Sequence, residues 1–272
     1  MGKDFGLIQL LFSFTLSSGA AREETSPTIL MYQVVTSQDL QISCMFHFDQ
    51  INEIGSGGYG NVYKAKHKMD GMFYALKIVK YTSQAESEVK NLARCDHQNI
   101  VRYYTSSYTD TSSGDQSGSS GTTDFLYMEF CENGTLTTWI EDRNYRNSQR
   151  NAEDALTVFK QVVCGVMYIH SQRLIHRDLK PDNILFEKNG DVKIGDFGLV
   201  TMITDESGGS VERTLAKGTQ SYMSPEQDRR SYDEKTDIFP LGLIFFELLW
   251  KFSTRLEKAK VTTAQGSFGC RV

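Results

Sequence analysis

HRDLKPDN, residues 176–183, lies between two apolar pairs, Leu174 with Ile175 and Ile184 with Leu185. Two acids, two bases and an amide are crowded into it. Pro181 has no N–H to give and bars a helix from running through, so the stretch reads as a rigid loop. Charged side chains enclosed by apolar flanks are rarely only a solvated surface. Asp178 is suited to accept a hydroxyl proton, and Asn183 to offer its amide oxygen to a hard cation. His176 reads as a satisfied core histidine rather than a base.

Just downstream, VKIGDFG (residues 192–198) places Asp196 at the end of a short strand beside a glycine, where an acid can ligate magnesium. That tripeptide alone carries no information, and neither does SPE at 224–226. Upstream, YALK (residues 74–77) sets Lys77 in a strand. A lysine pointing inward needs a partner. Glu88, on the helix expected next, is the candidate, against the plainer alternative of a surface pair worth little. Farther upstream, GSGGYGNV (residues 55–62) lies between two expected strands. Glycines let a backbone approach an anion closely and turn N–H groups toward phosphate oxygens. The bare spacing is as often an ordinary turn. A dinucleotide fold would need a helix immediately after it, and here a strand follows.

Strands are predicted at 51–54, 61–67, 73–79, 100–104 and 125–130, and a helix at 83–95 with Val89 and Leu92 on one face. Residues 105–124 are rich in Ser, Thr, Gly and Asp and read as a disordered insert between two strands. After Gly134 the pattern turns helical. Thr135 can cap a short helix carrying Leu136, Trp139 and Ile140. Residues 153–171 form an amphipathic helix with Leu156, Phe159, Val162, Val163, Val166 and Ile169 inward. Short strands follow at 184–186 and 192–194, and 237–250 is apolar all round, which predicts a helix buried on every side. A β-rich front lobe thus precedes a helical back lobe, joined near residues 131–134.

A chain of 272 residues with 39% hydrophobic content can build one large core or two modest ones. Its 29 basic and 34 acidic side chains give −5 with no long run of one sign, so the bulk charge does not suggest a surface built to coat nucleic acid, while a local basic groove stays open. Five cysteines, an odd number without a CxxC pair, point to reduced thiols and away from zinc. The apolar run at 5–16, followed by small residues, is too short to span a bilayer and has the look of a secretory leader. Asp4 offsets Lys3 there, so the stretch is read as an irregular leader, and the thiols favour the cytoplasm, with the nucleus also open.

Taken together, the order and spacing of these segments resemble the protein kinase family over residues 48–250. The resemblance implies an α+β, two-lobed kinase fold and an ATP- and Mg2+-dependent serine/threonine phosphotransferase. It implies that Gly55, Gly57, Gly58 and Gly60 cover the ATP phosphates and that Lys77, paired with Glu88, contacts them. Val62, Ala75 and Leu185 would enclose adenine, Met128 would be the gatekeeper, and Glu129 and Cys131 would offer hinge groups. Asp178 would be the base, Lys180 would neutralise the transferred phosphoryl group, and Asn183 and Asp196 would hold magnesium. MEFC at 128–131, IGDFGLVT at 194–201 and YMSPEQ at 222–227 are similar to the kinases of the translation initiation factor 2 alpha subunit, and most of all to their double-stranded-RNA-activated branch. In that branch Thr214 and Thr219 would be the activation-loop threonines, with Arg177 facing a phosphorylated one.

The implied organisation is an irregular leader at 1–47, a front lobe at 48–131, a partial back lobe at 132–260 and a tail at 261–272 without kinase character. The leader is expected to hold no nucleic-acid-binding module, and no membrane partner is expected. The implied partners are the initiation factor subunit as substrate and a second copy of the chain through the front lobe. The back lobe is expected to lack the family's last helices, including the one that docks the factor. Two readings therefore stay open, an active kinase and a truncated non-catalytic decoy that binds ATP or a partner kinase.

Overall fold

The computed structural model describes residues 47–57, 60–80, 82–109, 123–145, 151–203, 219–228, 232–254 and 256–258, all within the unit Thr36–Val272. Five antiparallel strands open it: β1 (Phe48–Gly57), β2 (Gly60–His67), β3 (Phe73–Lys80), β4 (Tyr103–Thr109) and β5 (Thr123–Glu129), in the order β1-β2-β3-β5-β4. Between β3 and β4 runs α1 (Ser83–Ala93), started by Thr82, whose hydroxyl accepts the Ala85 N–H at 3.1 Å. The glycine-rich segment is a hairpin in which Gly57 stands opposite Gly60. Gly60 has φ +117°, and a Cβ there would collide with the Ile78 carbonyl oxygen of β3, so only glycine fits.

The helical part holds α2 (Leu136–Tyr145), α3 (Ala152–Ser171) and α4 (Ile238–Leu249). Thr135 caps α2 by accepting the Thr138 N–H at 3.3 Å, and Asn151 caps α3 by accepting that of Glu153 at 2.9 Å. Between α3 and α4 lie four short strands, β6 (Leu174–Ile175), β7 (Ile184–Phe186), β8 (Val192–Ile194) and β9 (Thr201–Met202). They pair β6 with β9 and β7 with β8. One buried cluster joins α3, these strands and α4, through Val162, Val166, Ile169, Leu174, Ile194, Phe197, Ile244 and Leu248. A β-sheet lobe is thus followed by a helical one.

Several expectations are corrected. The strand expected at 100–104 begins only at Tyr103 and runs on as the polar Tyr103–Thr109, while Ile100 makes an isolated bridge to Ile194. Apolar Ile100 and Val101 are buried because their backbone is stitched to β8 (Val101 N–H to Ile194 O, Ile194 N–H to Asn99 O, both 2.9 Å). The insert read at 105–124 is ordered at both ends, as β4 and β5, and its middle lies outside the described residues. On α3 the buried stripe is Ala155, Val158, Val162, Gly165, Val166 and Ile169, while Leu156 is 42% exposed. Val162, Val166 and Ile169 are buried as expected; in the first turns the small residue 155 lets the helix approach its neighbours, and the seam there runs one position before Leu156 and Phe159. On α4, Pro240 is buried in the first turn, where a missing N–H costs nothing. The helix is not buried on every side, because Ile238 and Leu249 are about half exposed (56% and 47%).

The carboxylate of Asp237, fully buried before α4, accepts the backbone N–H of both His176 and Arg177 at 2.9 Å. His170 Nε2 lies 2.8 Å from the same carboxylate. The loop 176–183 is thereby tied to the N-terminus of α4 and to the end of α3.

Three outcomes are expected in chemical or thermal unfolding. A Cβ at Gly165 would lie 2.7 Å from Ile194 Cδ1 and 2.9 Å from the Asn99 carbonyl oxygen. Gly165→Ala should therefore destabilise by about 1–3 kcal/mol in spite of its better helix propensity. Gly242→Ala meets nothing within 4 Å and should stabilise by about 0.5–1 kcal/mol. The reverse ranking would refute this account of how α3 packs. Asp237→Ala leaves two buried N–H groups without an acceptor and should cost about 2–5 kcal/mol, read as a fall in Tm of several degrees.

Candidate active site

A cleft of about 780 Å³ is lined by four strands of the five-stranded sheet, by β7 and by the loop 176–183. Gly55, Gly60, Val62 and Ala75 line it from β1, β2 and β3, Met128, Glu129 and Cys131 from the end of β5, and Leu185 from β7. Lys77, Glu88, Lys180, Asn183, Asp196 and Thr219 complete the wall. Gly57 closes the hairpin above it, whereas Gly58 and Thr214 lie outside the described residues.

Lys77 projects from the centre of β3, paired with β2 and β5 on either side. Its Nζ lies 2.6 Å from Glu88 Oε1 on α1 and 3.2 Å from Asp196 Oδ1. Lys77 and Glu88 are both buried, so this is not the weak surface pair that remained open. Burial alone would drive the Lys77 ammonium toward neutrality, yet the charges of Glu88 and Asp196 outweigh it and hold its pKa above the ordinary value. Burial likewise works against an ionised Asp196, but Lys77 prevails and holds that carboxyl below its usual range. Asp196 has φ +53°, a left-handed conformation that a non-glycine residue adopts only when its surroundings compel it. The lysine on its carboxylate and the burial of Phe197 beneath do so here.

Asp178 is surrounded by donors. Its Oδ1 accepts the Thr219 N–H at 2.8 Å and the Thr219 hydroxyl at 2.9 Å. Its Oδ2 accepts Lys180 Nζ at 2.8 Å and Asn183 Nδ2 at 3.1 Å, and Asn183 Nδ2 also reaches the Asp178 carbonyl at 2.8 Å. Lys180 Nζ closes the ring on the Thr219 hydroxyl at 2.7 Å. The Asn183 amide nitrogen is thus committed to Asp178, which leaves its oxygen for the cleft. His176 is fully buried: Nδ1 accepts the Asp178 N–H at 3.3 Å, so Nε2 donates to the Gly195 carbonyl at 3.0 Å. It joins the two loops and has no free nitrogen for proton transfer.

Arg177 has φ +67° and is held at both backbone ends, its N–H by Asp237 and its carbonyl by Gln227 Nε2 at 3.1 Å. Its Nε donates to the Leu199 carbonyl at 2.6 Å and its Nη1 to the Tyr232 hydroxyl at 3.1 Å. Asp237, Gln227 and Tyr232 escaped the sequence reading as site-forming residues. YMSPEQ held the only hint, Gln227, and nothing local marks Asp237 as an acceptor for residues 60 and 61 positions upstream. The side chain of Glu129 turns to partners outside the cleft. Its Oε2 pairs with Lys193 at 3.0 Å and accepts the Arg102 N–H at 3.1 Å, and its own N–H goes to Arg102 O. Its backbone N–H is therefore committed to Arg102 and not open to a ligand.

The three described cysteines, Cys95, Cys131 and Cys164, are free. Among the described residues no helix is long and apolar enough to cross a membrane, and no group of three His, Cys, Asp or Glu could hold a metal ion by itself.

The model of the protein kinase domain matches residues 48–266, taking in the first residues of the stretch read above as a tail. The chain is 46% identical to the interferon-induced, double-stranded RNA-activated protein kinase of Rattus norvegicus over 222 residues, which are 78% of this chain and 42% of that protein. The protein of the same name from Mus musculus is 46% identical over 220 residues, with the same coverage. The eIF-2-alpha kinase GCN2 of Arabidopsis thaliana is 33% identical over 266 residues, covering 79% of this chain and 21% of its own. The chain spans less than half the length of these curated relatives. With the family model covering most of the sequence and the cleft built as described, the chain belongs to the protein kinase domain family.

Proposed function

We propose that this chain transfers the γ-phosphoryl group of ATP to serine or threonine, and that its protein substrate is the alpha subunit of translation initiation factor 2. The observation that carries the first part is the Asp178–Lys180–Thr219 ring, in which a hydroxyl already donates to Asp178 Oδ1 and accepts from Lys180 Nζ. A substrate hydroxyl in the same position would have its proton directed at a carboxylate and an ammonium beside its oxygen. That oxygen attacks the γ-phosphorus, the bond to the β–γ bridging oxygen breaks, and ADP leaves with the electron pair. Asp178 takes the hydroxyl proton, while Lys180 and Lys77 offset the charge on the phosphate oxygens. Val62, Ala75 and Leu185 form the apolar walls of the adenine slot.

The donor set suits magnesium. Asp196 contributes a carboxylate held ionised by Lys77, and Asn183 an amide oxygen freed by the commitment of its nitrogen. A hard cation that keeps few protein ligands takes the rest from phosphate oxygens and water, which agrees with the lack of a three-acid cluster among the described residues. When bound it would neutralise phosphate charge; the chain's own part is to hold those two oxygens in place. The substrate assignment rests on the relatives named as double-stranded RNA-activated and eIF-2-alpha kinases. Their activity, and a cytoplasmic setting with a second copy paired through the front lobe, are carried to this chain as part of the proposal.

The test is incubation of the full chain with γ-labelled ATP, magnesium and the purified initiation factor subunit. Label is expected on a hydroxyl residue of that subunit. Asp178→Asn should lower the rate roughly 10²–10⁴-fold without changing nucleotide affinity. Undiminished transfer by a folded Asp178→Asn variant would overturn the mechanism. Labelling of a generic serine peptide but not of the factor would keep the kinase and remove the substrate. Tight ATP binding with no transfer to any acceptor would favour the decoy.

A further inference from the structure

Lys193 is a buried lysine that the mechanism above does not use. It sits on β8 directly opposite Leu185, the floor of the adenine slot, and only 8% of it is exposed. Its Nζ lies 3.0 Å from Glu129 Oε2 and 3.7 Å from Glu187 Oε2. Glu129 ends β5, where the chain leaves the sheet and passes through Phe130 and Cys131 along the cleft wall. Glu187 follows β7 and is fixed by its N–H to the Asp191 carbonyl at 2.9 Å.

The strand that carries Lys193 cannot easily move. One edge of β8 pairs with β7, and the other is bonded to residues 99–101. Asn99 Nδ2 adds a bond to the Val192 carbonyl at 3.0 Å. The Lys193 ammonium is therefore a fixed point, and Glu129 is the partner it holds, at the end of β5 where the connection leaves the sheet along the cleft. The lower end of that connection has its own ties: Asn133 N–H to Phe186 O at 3.0 Å, Phe186 N–H to Gly134 O at 2.9 Å, and Asn133 Nδ2 to Glu187 O at 3.0 Å. The upper end has Lys193 and the Arg102 backbone.

We infer that Lys193 is a positioning residue that sets the height of the adenine slot by binding Glu129 to the β7–β8 hairpin. The inference rests on the reading of the cleft as an ATP site. The ammonium separates two carboxylates that would otherwise face each other across the connection, one at its upper end and one on the hairpin. Removing it replaces attraction by repulsion between like charges, which pushes the end of β5 away from β7. The slot between Ala75 and Leu185 then loses its fit to a flat ring. The chemistry of transfer, built on Asp178, Lys180 and Lys77, is not touched. The cost therefore falls on nucleotide binding.

The test compares Lys193→Met, Lys193→Arg and Glu187→Gln in the full chain, with ATP affinity from direct titration and kcat and KM from transfer to a protein acceptor. Lys193→Met should weaken ATP binding roughly tenfold and raise KM for ATP in step, with a much smaller change in kcat. Lys193→Arg should restore most of the affinity. Glu187→Gln, nearly neutral alone, should recover part of the loss when added to Lys193→Met, because it removes the facing charge. Wild-type ATP affinity in a folded Lys193→Met protein would overturn the inference, and so would a loss that Glu187→Gln deepens. If Lys193→Met does not fold, Glu129→Gln serves, and unaltered ATP affinity there overturns it equally. A wild-type chain that binds no adenine nucleotide would fail the ATP-site reading itself, and is told apart because it fails before any variant is made.

Discussion

Two backbone N–H groups in adjacent residues, His176 and Arg177, point at one buried carboxylate, that of Asp237. Such a pair can converge only if the chain turns sharply, and Arg177 accordingly sits at φ +67°. A non-glycine residue there costs about 1–2 kcal/mol, which the two charge-assisted bonds offset. The Arg177 carbonyl, turned outward by the same conformation, accepts Gln227, whose Oε1 takes the Ser224 N–H at 2.8 Å. One carboxylate at the start of α4 thus fixes the loop that bears Asp178, and through it the segment around Ser224. Without it the donors around Asp178 would have no reason to converge.

A second linkage runs from the sheet. Lys77 reaches Glu88 on α1 and Asp196 after β8, so a strand, a helix and a loop distant in sequence meet at one ammonium. Below that contact Phe197 is fully buried against the His176 ring, with centroids 5.5 Å apart. His176 in turn bonds the backbone on both sides, at Asp178 and Gly195. The charged upper layer and the apolar lower layer therefore constrain the same short loop, Asp196 with its left-handed backbone. Displacing α1 would remove one of two partners from Lys77 and loosen that loop from above.

Much of this was legible in the sequence, for physical reasons that differ by element. The strands at 184–186 and 192–194 are short, apolar and bounded by turn residues, and they fall where the pattern put them. Of the residues expected around one cleft, Gly55, Gly60, Val62, Lys77, Asn183 and Asp196 are among those that line it, because their types tolerate few other uses when buried. What failed was burial through long-range pairing. Ile100 and Val101 look like a strand, but their burial comes from bonds to β8, while the real edge strand is polar because its outer face meets water. On α3 the seam is met at Val162, Val166 and Ile169 and is off by one position only in its first turns, where Ala155 is buried in place of Leu156; Gly165 escaped because it carries close approach rather than bulk. Asp237 looked like an ordinary helix start, since its partners lie far upstream.

Cys131, at the rim of the cleft, has a consequence for chemical probing. Burial, with the Glu129 charge behind it, pushes the thiol pKa up to about 12, and the Lys193 ammonium only partly counters that. A thiol held up in this way carries little of the thiolate, the form that attacks an electrophile, near neutral pH. An acrylamide or chloroacetamide warhead delivered to this rim by a ligand that fits the slot would be held within reach of a sulfur too protonated to react quickly. A reversible ligand that takes its selectivity from Met128 would depend on none of that chemistry.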